Sequence, residues 1–323
     1  MAPPDDRLDP DLIQANLKTK RVGKKVLVYK ETASTNDIAA EYARNPDNSG
    51  LVVFAEEQIA GRGRSGAKWH SASGHSLLFS VLLMDCGISS ELLSLTCAVA
   101  VAEAIGQAGA HHAGIKWPND IVLAGRKVAG ILVESRAGNQ KSNIKNQTSS
   151  VHAIGIGINC HQTLEDFPSE LRETATSLDL ASGVRCDRVT VARRVLTSLD
   201  HWLKAAERNS RQVTETWSRL STQIGERVTL SYNRRRFTGN CIGVDPEKGL
   251  ILQLDRGGVA CSTPHTPTSS SDRPTNYAAP PMARLRRRRT RPDQAHLKEV
   301  PRALIPPGRR SMPMREASPV TRG

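Results

Sequence analysis

Two apolar runs, Leu51 to Ala55 (LVVFA) and Ser76 to Met84 (SLLFSVLLM), bracket a segment rich in Gly, Ser and Arg. Short β-branched runs of this kind predict buried strands, and the segment between them, Gln58 to His75, predicts a loop held by the sheet. The flanking sequence extends the pattern. Lys25 to Tyr29 (KVLVY) predicts a strand, and Ser34-Thr35-Asn36-Asp37 supplies capping side chains for a helix over IAAEYAR. Ser89-Ser90 caps Glu91 to Ala108, whose apolar spacing predicts a long helix. Ile121 to Leu123 and Lys127 to Glu134, parted by Ala124-Gly125-Arg126, predict a hairpin. A polar connector, Gly138 to Ser150, leads to a strand over Val151 to Ile158. Asp187 to Arg208 then puts Val191, Val195, Leu199, Trp202 and Leu203 on one helical face.

From Gly225 the texture changes to short runs, RVTLSY, RFTGNCIGV and GLILQL, separated by turns at Asn233 and Asp245-Pro246. This predicts a small β module. Beyond Ala260 the sequence becomes Pro, Ser, Thr and Arg. From Ser262 onward, 13 Lys/Arg face 4 Asp/Glu, so most of the formal net charge of +13 lies there. The basic balance therefore says little about the folded body. Arg286 to Arg289 lack the interleaved aromatics of a nucleic-acid surface, and Arg234-Arg235-Arg236 reads as a solvated hairpin turn. No apolar run reaches the ~18 residues that span a bilayer. The acidic N-terminus is no secretory signal. Six cysteines without a C-x-x-C pair read as scattered reduced thiols, as expected in cytoplasm.

Four segments carry candidate chemistry. In Gln58 to Trp69 (QIAGRGRSGAKW), glycines let the backbone turn while Arg62 and Arg64 offer forked donors for phosphate or carboxylate. It is neither a Walker A loop nor a dinucleotide fingerprint, and a solvated basic loop fits it equally. In Lys116-Trp117-Pro118-Asn119-Asp120, followed by Lys127, two lysines and a carboxylate converge across a hairpin around an anion and its counter-ion. A plain turn with a packed Trp is the alternative. Gly155-Ile156-Gly157-Ile158-Asn159 leaves one strand face open to a flat ligand or to a close backbone neighbour, and a tightly packed central strand fits it equally. Ser34-Thr35-Asn36 stands at a helix start, where it binds a small polar group or simply caps. His111-His112 has no partner spacing for a metal, and His75 is expected to pack or cap.

Taken in order, STND, QxAGRGRxGxxW, KWPNDI, RKVAGILVE, GIGIN and ATSL at Ala175 to Leu178 resemble the biotin protein ligases, over roughly residues 25 to 258. The resemblance implies an α+β fold. Its catalytic domain, 25–222, would be a mixed sheet with flanking helices, like that of class II aminoacyl-tRNA synthetases. An N-terminal extension, 1–24, would precede it. An SH3-like β-barrel, 223–264, would follow, incomplete because Gly257-Gly258 runs into VACSTPHTPTSSSDRPTN instead of an apolar strand. A disordered basic tail, 265–323, would close the chain.

The implied reaction joins biotin to ATP as biotinyl-5′-AMP, with Mg²⁺, and passes biotin to a lysine of a carboxylase's biotin carrier domain. Ser34, Thr35, Asn36, Gln58, Arg62, Gly63, Arg64, Lys127 and Gly130 would bind biotin. Arg62, Arg64, Trp69, Lys116, Asn119 and Asn159 would bind ATP. Arg64, Lys116 and Lys127 would be catalytic, and Asp120 would assist the magnesium ion. Too few residues precede the first strand for the DNA-binding domain of the repressor-type members, so neither DNA nor membrane is an expected partner; a homodimer is compatible. A lipoate ligase shares the fold and the acyl-adenylate chemistry, but GRGRxGxxW with KWPND favours biotin. A nucleic-acid-binding factor using the Arg-rich tail is the alternative from another class.

Overall fold

A computed structural model describes residues 6–107, 113–141, 148–232, 235–255 and 257–261. The expected tail, Arg286 to Arg289 and His111-His112 lie outside the described residues. Strands β1 (Val26–Thr32) and β2 (Val52–Gln58) pair in parallel, because helix α1 (Thr35–Glu41) carries the chain back between them. Every other pairing in this sheet is antiparallel. Strand β3 (Ser76–Met84) lies beside β2, and the order continues through Thr148–Asn159, Arg126–Lys141 and Asp120–Leu123 to Gly114–Lys116. In chain order these last four are β7, β6, β5 and β4. The hairpin between β5 and β6 turns at Ala124 and Gly125, both at positive φ (47° and 78°), as the right-handed twist of paired strands requires.

The connector Gly138 to Ser150 departs from expectation. Lys141 and Thr148 are still paired, so β6 and β7 run into both ends of the polar segment; its centre, 142–147, lies outside the described residues. Ladder bonds are made by the main chain and do not require apolar side chains.

Helix α2 (Ser90–Gly106) starts where expected, with the Ser89 hydroxyl accepting the Leu92 N–H at 3.2 Å. It is apolar on nearly every face and correspondingly buried. A short helix, α3 (Leu178–Ser182), precedes α4 (Arg188–Arg208), whose apolar stripe packs on α2. A further helix not anticipated from sequence, α5 (Ser210–Leu220), adds Val213 and Trp217 to the core. Trp217 meets Trp117 edge to face, with centroids 6.0 Å apart.

The residues ahead of β1 belong to the same core: Leu8, Ile13 and Val22 are buried. Asp6 is tied to the fully buried Arg188, which also holds Glu56 at 2.6 Å. The chain ends in an antiparallel sheet of β8 (Arg227–Tyr232), β9 (Arg235–Asp245), β10 (Gly249–Leu254) and β11 (Val259–Cys261), matching the small SH3-like module. Arg235 and Arg236 lie in β9 instead of a turn, paired with Tyr232 and Ser231; Arg234 is outside the described residues. Gln223 joins this module to the large sheet by accepting the Trp117 N–H, just beyond β4, at 2.6 Å. All six cysteines are free thiols, and among the described residues no helix is long and apolar enough to cross a membrane.

Candidate active site

A cleft of about 290 Å³ opens over the middle of the large sheet. Strand ends and loops that are distant in sequence meet there: the start of α1, the loop after β2, the β5–β6 hairpin and the glycine strand β7. Residues Ser34, Thr35, Asn36, Gln58, Arg62, Gly63, Arg64 and Trp69 line it, as do Asn119, Asp120, Lys127 and Gly130.

One end is polar and fully built. Gln58 Oε1 accepts from both the Thr35 N–H (2.8 Å) and the Thr35 hydroxyl (3.1 Å), which leaves its Nε2 to donate elsewhere. The buried Ser80 hydroxyl stands 2.7 Å from Thr35 Oγ1 and 2.6 Å from Asn36 Oδ1. Asn36 Nδ2 donates to Glu134 Oε2 at 2.7 Å. Arg62 grips Asp37 with two hydrogen bonds of 2.7 and 2.8 Å and reaches Glu134 at 3.3 Å. The hydrogen bond from Arg62 holds the Asp37 carboxyl below its usual range, and Asp37 in turn raises the guanidinium.

The other end is cationic. Lys127 Nζ pairs with Asp120 Oδ1 at 2.7 Å and lies 5.5 Å from the centre of the Trp69 ring. Burial lowers the Arg64 pKa, while the nearby Asp120 charge opposes that shift. Asn119 does not aim its amide at an open space: Nδ2 donates to the Ile131 carbonyl at 2.8 Å, fixing the hairpin that carries Lys127. The chain entering the ATSL segment braces Lys127: the Thr174 carbonyl accepts its N–H at 2.7 Å, and the Thr176 N–H donates to its carbonyl at 2.9 Å.

The glycines explain the floor. A Cβ on Gly157 would stand 2.6 Å from Trp69, and one on Gly130 would stand 2.9 Å from the same ring. The glycines of GIGIN thus make room for a close neighbour, but that neighbour is the Trp69 side chain and not the backbone expected from the sequence. Gly155 serves Asn36 in the same way, at 2.8 Å.

Two expected residues stand elsewhere. Lys116, at the end of β4, is exposed and does not line the cleft, although it lies opposite Asp120 in the strand register. Asn159 is buried and donates to the Thr176 carbonyl at 3.0 Å, so its amide ties β7 to the ATSL segment. Three contributors were not singled out from the sequence. Ser80 is the polar residue inside an otherwise apolar strand. Glu134 follows Gly130 and Leu132 at the two-residue period of one strand face. Asp37, in sequence, reads only as a capping residue.

Residues 28–159 match the biotin/lipoate A/B protein ligase family. A biotin–[acetyl-CoA-carboxylase] ligase of Paracoccus denitrificans is 39% identical over 234 residues, covering 70% of this chain and 93% of that protein. One from Mycobacterium tuberculosis is 31% identical over 271 residues, covering 80% and 96%. The chain belongs to this ligase family. A third relative, the bifunctional ligase/repressor BirA of Bacillus subtilis, is 34% identical over 254 residues, covering 78% of this chain and 76% of that protein. Among solved ligases of the family, the biotin protein ligase from Aquifex aeolicus in complex with biotin and ATP superposes with a TM-score of 0.61 at 26% identity. It covers 75% of this chain and 97% of its own. The superposition agrees with the expected fold, a mixed sheet with flanking helices.

Proposed function

We propose that this chain is an ATP-dependent biotin protein ligase that forms biotinyl-5′-AMP and transfers biotin to a lysine of a carboxylase's biotin carrier domain. The observation that carries the reading is the convergence, in one cleft, of the GRGRSG loop, the KWPND hairpin with Lys127, and Ser34-Thr35-Asn36.

The reaction joins two anions, a carboxylate and a triphosphate, so fixed cations are needed where charge builds up. Lys127 and Arg64 meet that need at one end of the cleft, and Lys127 stands nearest the reacting carboxylate. Leu132, beside the side-chain-free strand positions Gly155 and Gly157, gives the cleft an apolar stretch that suits an aliphatic chain and a thioether ring. The Thr35–Gln58–Asn36 network suits the ureido group, which both donates and accepts. Trp69 covers the nucleotide side, and Arg64 retains the adenylate until the carrier amine arrives. Keeping water out of the cleft protects the mixed anhydride.

Magnesium is held elsewhere by one or two carboxylates together with substrate phosphates. Asp120, the carboxylate lining the cleft beside Lys127, fits that part. The ion would supply charge neutralisation to the triphosphate. Lys116 would then act from the exposed end of β4, and Asn159 through its tie between β7 and the ATSL segment, neither of them lining the cleft.

Biotin-dependent ATP–pyrophosphate exchange tests the adenylation half. Exchange with biotin and not with lipoate is the expected result; exchange with lipoate alone would overturn the assignment.

A further inference from the structure

Outside the cleft, where β7 ends, His161, Asp179 and Cys186 come together. Their ligand-type atoms, one from each side chain, lie within 4.8 Å of one another. His161 Nδ1 is 2.7 Å from Asp179 Oδ2 and 4.0 Å from Cys186 Sγ. Asp179 is oriented from its other oxygen, which accepts the Cys186 N–H at 2.7 Å. Cys160, whose fully buried thiol donates to the Ile158 carbonyl at 3.6 Å, precedes His161 in the chain and is not part of the trio.

We infer that His161, Asp179 and Cys186 form a binding site for a zinc-class divalent cation. The argument rests first on the donor set. One imidazole, one carboxylate and one sulfur select a borderline metal such as Zn²⁺ over Mg²⁺ or Ca²⁺, which prefer oxygen. Geometry is the second support. Zinc bonds of the usual length place neighbouring ligand atoms so that the His161–Asp179 gap widens and the His161–Cys186 gap closes, each by about 0.5 Å.

The surroundings are the third support. His161 Nε2 is bonded to Asp6 Oδ2 at 2.6 Å, the carboxylate–histidine arrangement that orients and strengthens a metal-binding imidazole. Asp6 is itself held by Arg188 at 3.3 Å.

Charge balance permits the exchange. Without metal, the two ring nitrogens of His161 face the acceptor oxygens of Asp179 and Asp6, and Arg188 faces Asp6 and Glu56. The cation would take the place of the Nδ1 proton and the Cys186 thiol proton, forming bonds to Nδ1, Sγ and Asp179 Oδ2 and releasing both protons to solvent. Two positive charges leave and two arrive, so the buried charge is unchanged. The half-buried Asp179 and Cys186 leave a way in from solvent. A metal here would clip the end of β7, helix α3 and the start of α4 together, and through Asp6 it would pin the chain's first described residues.

Chelator-treated full-length protein should be titrated with Co²⁺ as a spectroscopic probe. The expected result is tetrahedral d–d absorption with a thiolate-to-cobalt charge-transfer band, saturating near one equivalent and displaced by Zn²⁺. Cys186→Ser should remove the charge-transfer contribution of that thiolate, while Cys86→Ser should keep the full spectrum. A second readout needs no variant: Zn²⁺ should slow alkylation of Cys186 in the wild type at least ~10-fold, as loss of a free thiolate predicts. Absence of tetrahedral bands at stoichiometric Co²⁺ would overturn the inference. So would equal alkylation with and without Zn²⁺, or a Cys160–Cys186 disulfide with no metal uptake.

Discussion

Gly157 lies directly beneath Trp69: a Cβ built on that glycine would stand 2.6 Å from the indole ring. Its register partner across the sheet, Gly130, meets the same ring. The seat of the tryptophan is therefore made by two missing side chains on neighbouring strands, and the indole in turn forms a wall of the cleft beside Lys127. Gly157→Ala cannot be absorbed by a flexible side chain, since the ring and the strand are both rigid. It should cost about 1–3 kcal/mol of stability by overpacking and unseat Trp69. Urea unfolding reads the first effect, and a raised KM for ATP in pyrophosphate exchange reads the second.

Lys127 is braced on both sides of its backbone and paired with Asp120. Lys127→Met keeps the length of the side chain but removes the charge proposed to face the reacting carboxylate. Adenylation should fall about 10²–10³-fold, the range for loss of a preorganised electrostatic donor. The circular dichroism spectrum should stay unchanged. A variant with wild-type exchange rates would remove Lys127 from the chemistry.

Arg188 is fully buried, between Asp6 and Glu56. Arg188→Met would leave two carboxylates without their partner, and breaking a buried pair in this way costs about 3–5 kcal/mol. Urea unfolding with chelator present should show it as a larger loss than Gly157→Ala. A loss below about 1 kcal/mol would mean that the carboxylates find water or protons at little cost.

His152 gives the stability a pH dependence. Burial lowers its pKa, opposed by the charges of Glu91 and Asp85, and its Nδ1 is 2.8 Å from the Ser135 hydroxyl. Because the folded value lies below the unfolded one of about 6.5, the unfolded chain binds the proton first as pH falls. The contribution is therefore present above that pH and lost below it. Unfolding midpoints from roughly pH 7.5 down to 5.5 should fall, and His152→Gln should flatten the slope in that range.

How much of this was legible in the sequence depends on the range of the interaction. Strands β1, β2, β3 and β7, helices α2 and α4 and the β5–β6 hairpin follow from local apolar period, caps and turns, and the cleft residues follow from the resemblance. What escaped was set by distant partners. Nothing near Ile13 or Val22 says that they enter the core, because the surfaces that bury them come from elsewhere in the chain. Helix α5 carries its apolar face on only a few residues, among them Val213 and Trp217. Ser80 and Glu134 become site residues only when β3, β6 and α1 bring them to Asn36, across sequence separations of 44 and 98. Asn119 and Asn159 look like ligand-binding amides in sequence, yet both spend a donor on a backbone carbonyl.

The central claim is that one cleft both activates biotin and hands it to a protein lysine. The direct test is single-turnover transfer of labelled biotin to an isolated carrier domain, with and without MgATP, for the wild type and Arg64→Gly. The account predicts carrier labelling by the wild type only when ATP is present, and adenylate that escapes the cleft and labels other proteins in Arg64→Gly. Labelling without ATP, or no pyrophosphate release and no labelled carrier with it, would contradict the account.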